Sequence, residues 1–157
     1  MSPRAVLPAL LLALALALGA GAAVAAVPEQ APDPSISDGT RQRDLDRARA
    51  LWKADGLRSY RFELRRRCFC PEQSNVVVLV RNRRIVKHPP ELRPVASVPR
   101  LFRTIQQAID DKAVQLDVSY GKRGVPRSLY VDRSKNVIDE ETGYTIKRFT
   151  SLKQRAG

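Results

Sequence analysis

Cys68 and Cys70 flank a single phenylalanine and are the only two cysteines in a chain of 157 residues. In an extended strand, residues two apart share a face with Cα atoms about 6.6 Å apart. A disulfide usually spans about 5.5–6 Å, so a bridge here needs a local bend, and Pro71 marks where a strand would break. The expected reading is a local structural bridge between Cys68 and Cys70; two buried thiols, or redox or metal chemistry, are the alternatives. His88 is the one histidine. Zinc takes four ligands, so a site built on Cys68, Cys70 and His88 would need a carboxylate as well. As base to a cysteine nucleophile, His88 lacks an orienting residue and a Gly-rich oxyanion loop; beside Pro89 and Pro90 it reads more simply as a solvated strand end. Asp132-x-Ser134-x-Asn136, with Asp139, Glu140 and Glu141, has the oxygen-rich spacing of a calcium loop. It lacks the central glycine and carries Gly143 where the loop's last glutamate belongs, so turn chemistry explains it. We therefore expect no catalytic residue, no metal and no cofactor.

Arginine is the second source of chemistry. Lys and Arg number 28 against 16 Asp and Glu, a formal net charge of +12. A guanidinium donates two parallel hydrogen bonds to a phosphate or carboxylate. Arg61, Arg65 and Arg67 recur at even spacing and form a row on one face of a strand; Arg83 and Arg84 stand in the polar turn that follows the next strand. These five residues are the candidate anion-binding set. The competing reading is a charged surface that serves solubility alone. Few aromatics interleave with the basic runs, so base stacking and sequence-specific recognition of nucleic acid are not expected.

The elements that must position these residues follow from hydrophobic period. Residues 40–54 repeat apolar side chains at helical spacing (Leu45, Ala48, Leu51/Trp52), and Gly56 stands where a left-handed terminator is needed. Trp52 is expected to tie this helix to a sheet. Residues 58–69 alternate, with Tyr60, Phe62 and Leu64 on one face. Residues 75–80 form a buried strand that turns through 81–84 into a partner at 85–88, and a loop runs from Pro89 to Ser97. Ser97 can cap a helix over 98–113, with Pro99 in its first turn. Strands are expected at 114–120, 128–132 and 144–149. The order α-β-β-β-α-β-β-β predicts an α+β fold: an antiparallel sheet of about five or six strands with two helices packed on one face.

Upstream of these elements, a basic start to Arg4, an uncharged Ala/Leu-rich run from Ala5 and the Ala23-Val24-Ala25-Ala26 end have the three parts of a cleavable secretory signal. Residues 1–26 are expected to be removed, leaving no transmembrane helix. Residues 27–39 are Pro-rich and aperiodic and read as a disordered linker. A single domain over 40–153 remains.

The segments Leu51-Trp52, Ser59-Tyr60-Arg61-Phe62, Cys68-Phe69-Cys70-Pro71, Leu101-Phe102-x-x-Ile105-Gln106 and Tyr120-x-x-x-Gly124-x-Pro126 resemble an uncharacterised family of small exported bacterial proteins, of which Cys-Phe-Cys-Pro is the most specific mark. The resemblance implies export and fold and no activity. The expectation from sequence is an exported, non-catalytic accessory or binding module, periplasmic or secreted, whose basic sheet face meets an anionic envelope component or another envelope protein. The alternative is a thiol-dependent redox or metal-assisted enzyme centred on Cys68 and Cys70.

Overall fold

Alternation along the first strand sets the architecture. The computed structural model describes residues 30–68, 74–137 and 141–152. In β1 (Tyr60–Arg67) the side chains of Tyr60, Phe62 and Leu64 are fully buried and Arg61 and Arg67 are exposed. Burying each large apolar side chain contributes roughly 1.5–3 kcal/mol, so a one-residue slip of register would turn all three to solvent. β1 pairs antiparallel with β2 (Val76–Arg81), which bears Val78 and Val80 on the same buried face. A two-residue turn leads into the short β3 (Arg84–Lys87).

On its other side β1 pairs with the last strand, β6 (Thr142–Ser151). β5 (Pro126–Asp132) and β4 (Gln115–Tyr120) follow, giving an antiparallel six-stranded sheet in the order β3-β2-β1-β6-β5-β4. One face carries the core and packs beneath two main helices, α2 (Thr40–Asp55) and α3 (Val98–Asp110). The expected α+β fold is the observed one.

α3 begins as its sequence suggests. The Ser97 side chain accepts from the Arg100 N–H, Pro99 occupies the first turn, and Val98, Leu101, Phe102, Ile105 and Ala108 are buried. α2 ends at Gly56 with φ 64°, a left-handed terminus that glycine adopts without strain. Trp52 meets Tyr60 edge to face at 5.2 Å and Phe149 at 6.1 Å, so it does join helix to sheet.

Three features depart from the sequence reading. Leu51 is 45% exposed, and the stripe of α2 runs through Leu45, Ala48 and Trp52 instead. The expected loop at 89–97 contains a 3-10 helix, Pro90–Val95, which buries Leu92 and Val95 against α3. The segment read as a linker is ordered over its described part: Asp33 caps a short α1 (Pro34–Ser37) and is itself buried. Its N–H donates to the Ala113 carbonyl, and its carboxylate accepts from the Leu116 N–H at 2.8 Å. Those bonds fix the chain to the edge of β4, where composition alone suggested freedom. The leader expected over residues 1–26 lies outside the described residues.

Candidate functional site

The β2–β3 turn is under backbone strain. Asn82 and Arg83 have φ of 50° and 66°, the left-handed pair that a two-residue hairpin needs and that Asn-Gly normally fills. An arginine there costs about 1–2 kcal/mol relative to an unstrained backbone. The surroundings hold it in place. The Arg83 N–H donates to the Arg58 carbonyl at 2.7 Å, and the Asn82 N–H donates to the hydroxyl of buried Ser59 at 3.0 Å.

Arg83 and Arg84 border a cleft of about 700 Å³, with Arg93 from the 3-10 helix, Arg100 and Arg103 from α3, and His88 at the end of β3. Residues 100 and 103 are one helical turn apart and so project from one side of α3. Arg100 also donates to the Arg93 carbonyl at 2.5 Å, which fastens the 3-10 helix to α3. The His88 Nδ1 lies 2.7 Å from the Pro89 carbonyl. A carbonyl only accepts, so Nδ1 carries the hydrogen and Nε2 is the nitrogen left for a ligand.

No carboxylate lines this cleft, and among the described residues none of its five arginines makes an ion pair. The acidic groups serve elsewhere. Asp46 and Asp55 on α2 hold Arg49 and Arg123, Asp117 holds Arg41, Asp111 past the far end of α3 holds Arg133, and Glu63 on the outer sheet face holds Arg148. The carboxylates in these pairs lie away from the cleft, so its five positive charges face one another without a counter-charge in its lining. The N-terminus of α3 opens there and adds its dipole. It adds no free amide donor: the Val98 N–H donates to the Tyr60 hydroxyl, the Arg100 N–H bonds Ser97, and Pro99 has none. Burial, opposed by that bond from Val98, pushes the Tyr60 hydroxyl up to about 12, so it stays neutral. Anion recognition in the cleft therefore falls to side chains. A smaller cavity of about 120 Å³ shares Arg83, Ser97 and Pro99 with the cleft and is otherwise walled by Trp52, Leu57 and Tyr60.

The sequence-derived candidates divide between two places. Arg83 and Arg84 belong to the cleft; Arg61, Arg65 and Arg67 do not line it. Those three lie on the outer face of β1 as expected, interrupted by Glu63, whose carboxylate accepts from Arg148 at 2.8 Å. Arg66 points to the opposite side, across from Tyr144, and its Nε is buried with no hydrogen-bond partner. β2 pairs with β1 only as far as Leu64, so among the described residues 65–67 pair with β6 alone. Arg93, Arg100 and Arg103 are not among the residues that sequence reasoning selects; the available signal is the three-residue spacing of Arg100 and Arg103 just after a capped helix start.

The remaining motifs do not assemble a centre. Cys70 lies outside the described residues, and the Cys68–Cys70 pairing lies there with it. His88 is roughly six residues from Cys68 along the sheet register, about 20 Å at strand rise, so no site joins them. Asp132 accepts from the Ser134 N–H at 2.9 Å, and the Ser134 hydroxyl accepts from the Asn136 N–H, which is turn bonding. Asp139 and Glu140 fall outside the described residues. Among those described, no cluster of three or more His, Cys, Asp or Glu is placed to hold a metal, and no helix is long and apolar enough to cross a membrane.

No curated protein and no solved structure matches the chain. A family model does match, over residues 44–151, a span that takes in most of α2, all of α3, all six strands and the arginine cleft. The chain belongs to the family of unknown function DUF6174.

Proposed function

We propose that the protein is an exported, non-catalytic binding module of the bacterial envelope that holds a multiply charged, phosphate-bearing anion in the cleft between the β2–β3 turn, the 3-10 helix and the start of α3. The observation that carries this reading is the cleft's lining of five arginines with no carboxylate. Five like charges brought together repel one another, and an anion relieves that repulsion while accepting paired hydrogen bonds from each fork. The volume of about 700 Å³ lies in the range of small-molecule sites. The leader-like N-terminus, the family resemblance and the basic surface support the extracytoplasmic setting. Pairing of Cys68 with Cys70 as a local bridge fits that oxidising compartment.

The test is calorimetric titration with inorganic tripolyphosphate at 50 and 200 mM salt. The reading predicts saturable one-to-one binding that weakens steeply with salt, as exposed charges are screened. Non-saturating heats, or a stoichiometry of several anions spread over the surface, would count against a site.

A further inference from the structure

We propose a second, separate site: a docking groove along the unpaired edge of β6 that takes an acidic, extended segment of a partner protein as an added strand. The β5–β6 ladder runs from Val131 opposite Thr142 to Ser128 opposite Thr145 and goes no further. By that register Arg127 would next face Ile146 and Pro126 would face Lys147, and Pro126 has no N–H to donate, so the ladder cannot continue past it. β6 continues to Ser151, bonded on its other side to β1. From Ile146 onward it therefore shows, among the described residues, a strand edge toward β5 with no ladder partner, interrupted at Arg148, a bulge residue with φ 49°.

The opposite wall is rigid. Gly121 donates to the Val125 carbonyl and Gly124 to the Gly121 carbonyl, closing the β4–β5 turn. At Gly124 the turn presses so closely on α2 that a Cβ would lie 2.0 Å from the Ala48 carbonyl oxygen. The hairpin tip is thus held against the helix and away from β6. The gap between them is a groove of about 570 Å³. Buried Val125 and Ile146 form its apolar floor. Its rim is basic: Arg123 and Arg148 are engaged with Asp55 and Glu63, while Lys122, Arg127 and Lys147 are exposed and make no ion pair among the described residues. The outer edge of β4 is handled differently, since Asp33 takes its Leu116 N–H. An extended peptide satisfies a strand edge through its backbone, places alternate side chains on the floor, and meets this rim best when the others are acidic.

The experiment uses a fluorescein-labelled octapeptide of alternating Glu and Val, its Lys/Val counterpart, and the Glu/Val peptide N-methylated along its backbone. Anisotropy with the full chain should show saturable binding of the Glu/Val peptide alone, and N-methylation should weaken it about tenfold or more. Hydrogen exchange should slow at amides of 146–151 when the peptide is added. The double variant Arg127→Glu/Lys147→Glu should lose about tenfold in affinity, while Arg93→Gln/Arg103→Gln should leave it unchanged. Equal binding of the N-methylated peptide, protection mapped to the α3 cleft, or no binding by the wild-type chain would each overturn the proposal. The peptide comparison and the exchange map need only the wild-type chain, so the test survives a variant that fails to fold.

Discussion

Removing the Asp33 carboxylate should destabilise the domain well beyond the cost of a surface change. One of its oxygens accepts from the Ser35 N–H at 2.8 Å and from the Ser35 hydroxyl, and the other accepts from the Leu116 N–H at 2.8 Å. Loss of an N-cap costs about 1 kcal/mol, and a buried N–H left without an acceptor costs about 1–3 kcal/mol. Asp33→Ala should therefore lose roughly 2–4 kcal/mol. In a domain of this size that lowers Tm by about 10 °C. Asp33→Asn is no rescue, because a single amide oxygen cannot serve both sides, and we expect it to lose about half as much. Acid should narrow the difference. Burial raises the pKa of Asp33, but the bonds from Ser35 and Leu116 outweigh it and hold the carboxyl below its ordinary value of 3.8. A depressed folded-state pKa contributes stability that is complete above 3.8 and fades as pH falls through the lower folded value. Urea unfolding at pH 7 and at pH 3 measures both halves. A variant within about 0.5 kcal/mol of wild type at pH 7, or a deficit that does not shrink as pH is taken down through the acid range below 3.8, would refute the account of this anchor.

Arg83→Gly separates strain from use: relief of the left-handed backbone should stabilise the fold by up to about 1 kcal/mol while tripolyphosphate binding weakens, a trade read by unfolding and calorimetry on the same sample. Changing both Cys68 and Cys70 to Ser should cost less than the roughly 2–5 kcal/mol of a typical native disulfide, because the closed loop is minimal; denaturant titration of the double variant checks it. If the leader is cleaved as proposed, intact mass of the extracytoplasmic protein should start at Ala26 or Val27, and recovery of only full-length chain would contradict export.

Much of the fold was legible because its signals are local. The alternation at 60–64, the Ser97 cap with Pro99 behind it, and Gly56 each act within one element, and each holds in three dimensions. Leu51 does not share the stripe because i+6 from Leu45 lies about 120° round the helix, whereas Trp52 at i+7 lies within about 20° of it and meets the sheet. Asp33 was hidden in a Pro-rich stretch whose composition suggests disorder. Its Asp-Pro-Ser order, a cap followed by proline in the first turn, was the local signal of the helix that forms. The cleft was the least legible feature. Arg83 and Arg84 were visible as turn residues, yet their partners Arg93, Arg100 and Arg103 join them only when the 3-10 helix packs on α3. The row at Arg61, Arg65 and Arg67 stands out by its spacing, but it lies on the outer sheet face with a glutamate in its midst and Arg61 and Arg67 exposed to screening by water.

That contrast supplies the most direct measurement. Two triple variants carry the same change in net charge: Arg84→Gln/Arg93→Gln/Arg103→Gln empties the cleft of three guanidiniums, and Arg61→Gln/Arg65→Gln/Arg67→Gln removes the row on β1. Tripolyphosphate affinity measured by calorimetry at one ionic strength should fall at least about tenfold in the first, since each charge-assisted bond lost costs more than 1 kcal/mol, and change little in the second. Equal losses in the two would show that bulk charge alone draws the anion, and the cleft would not be the site.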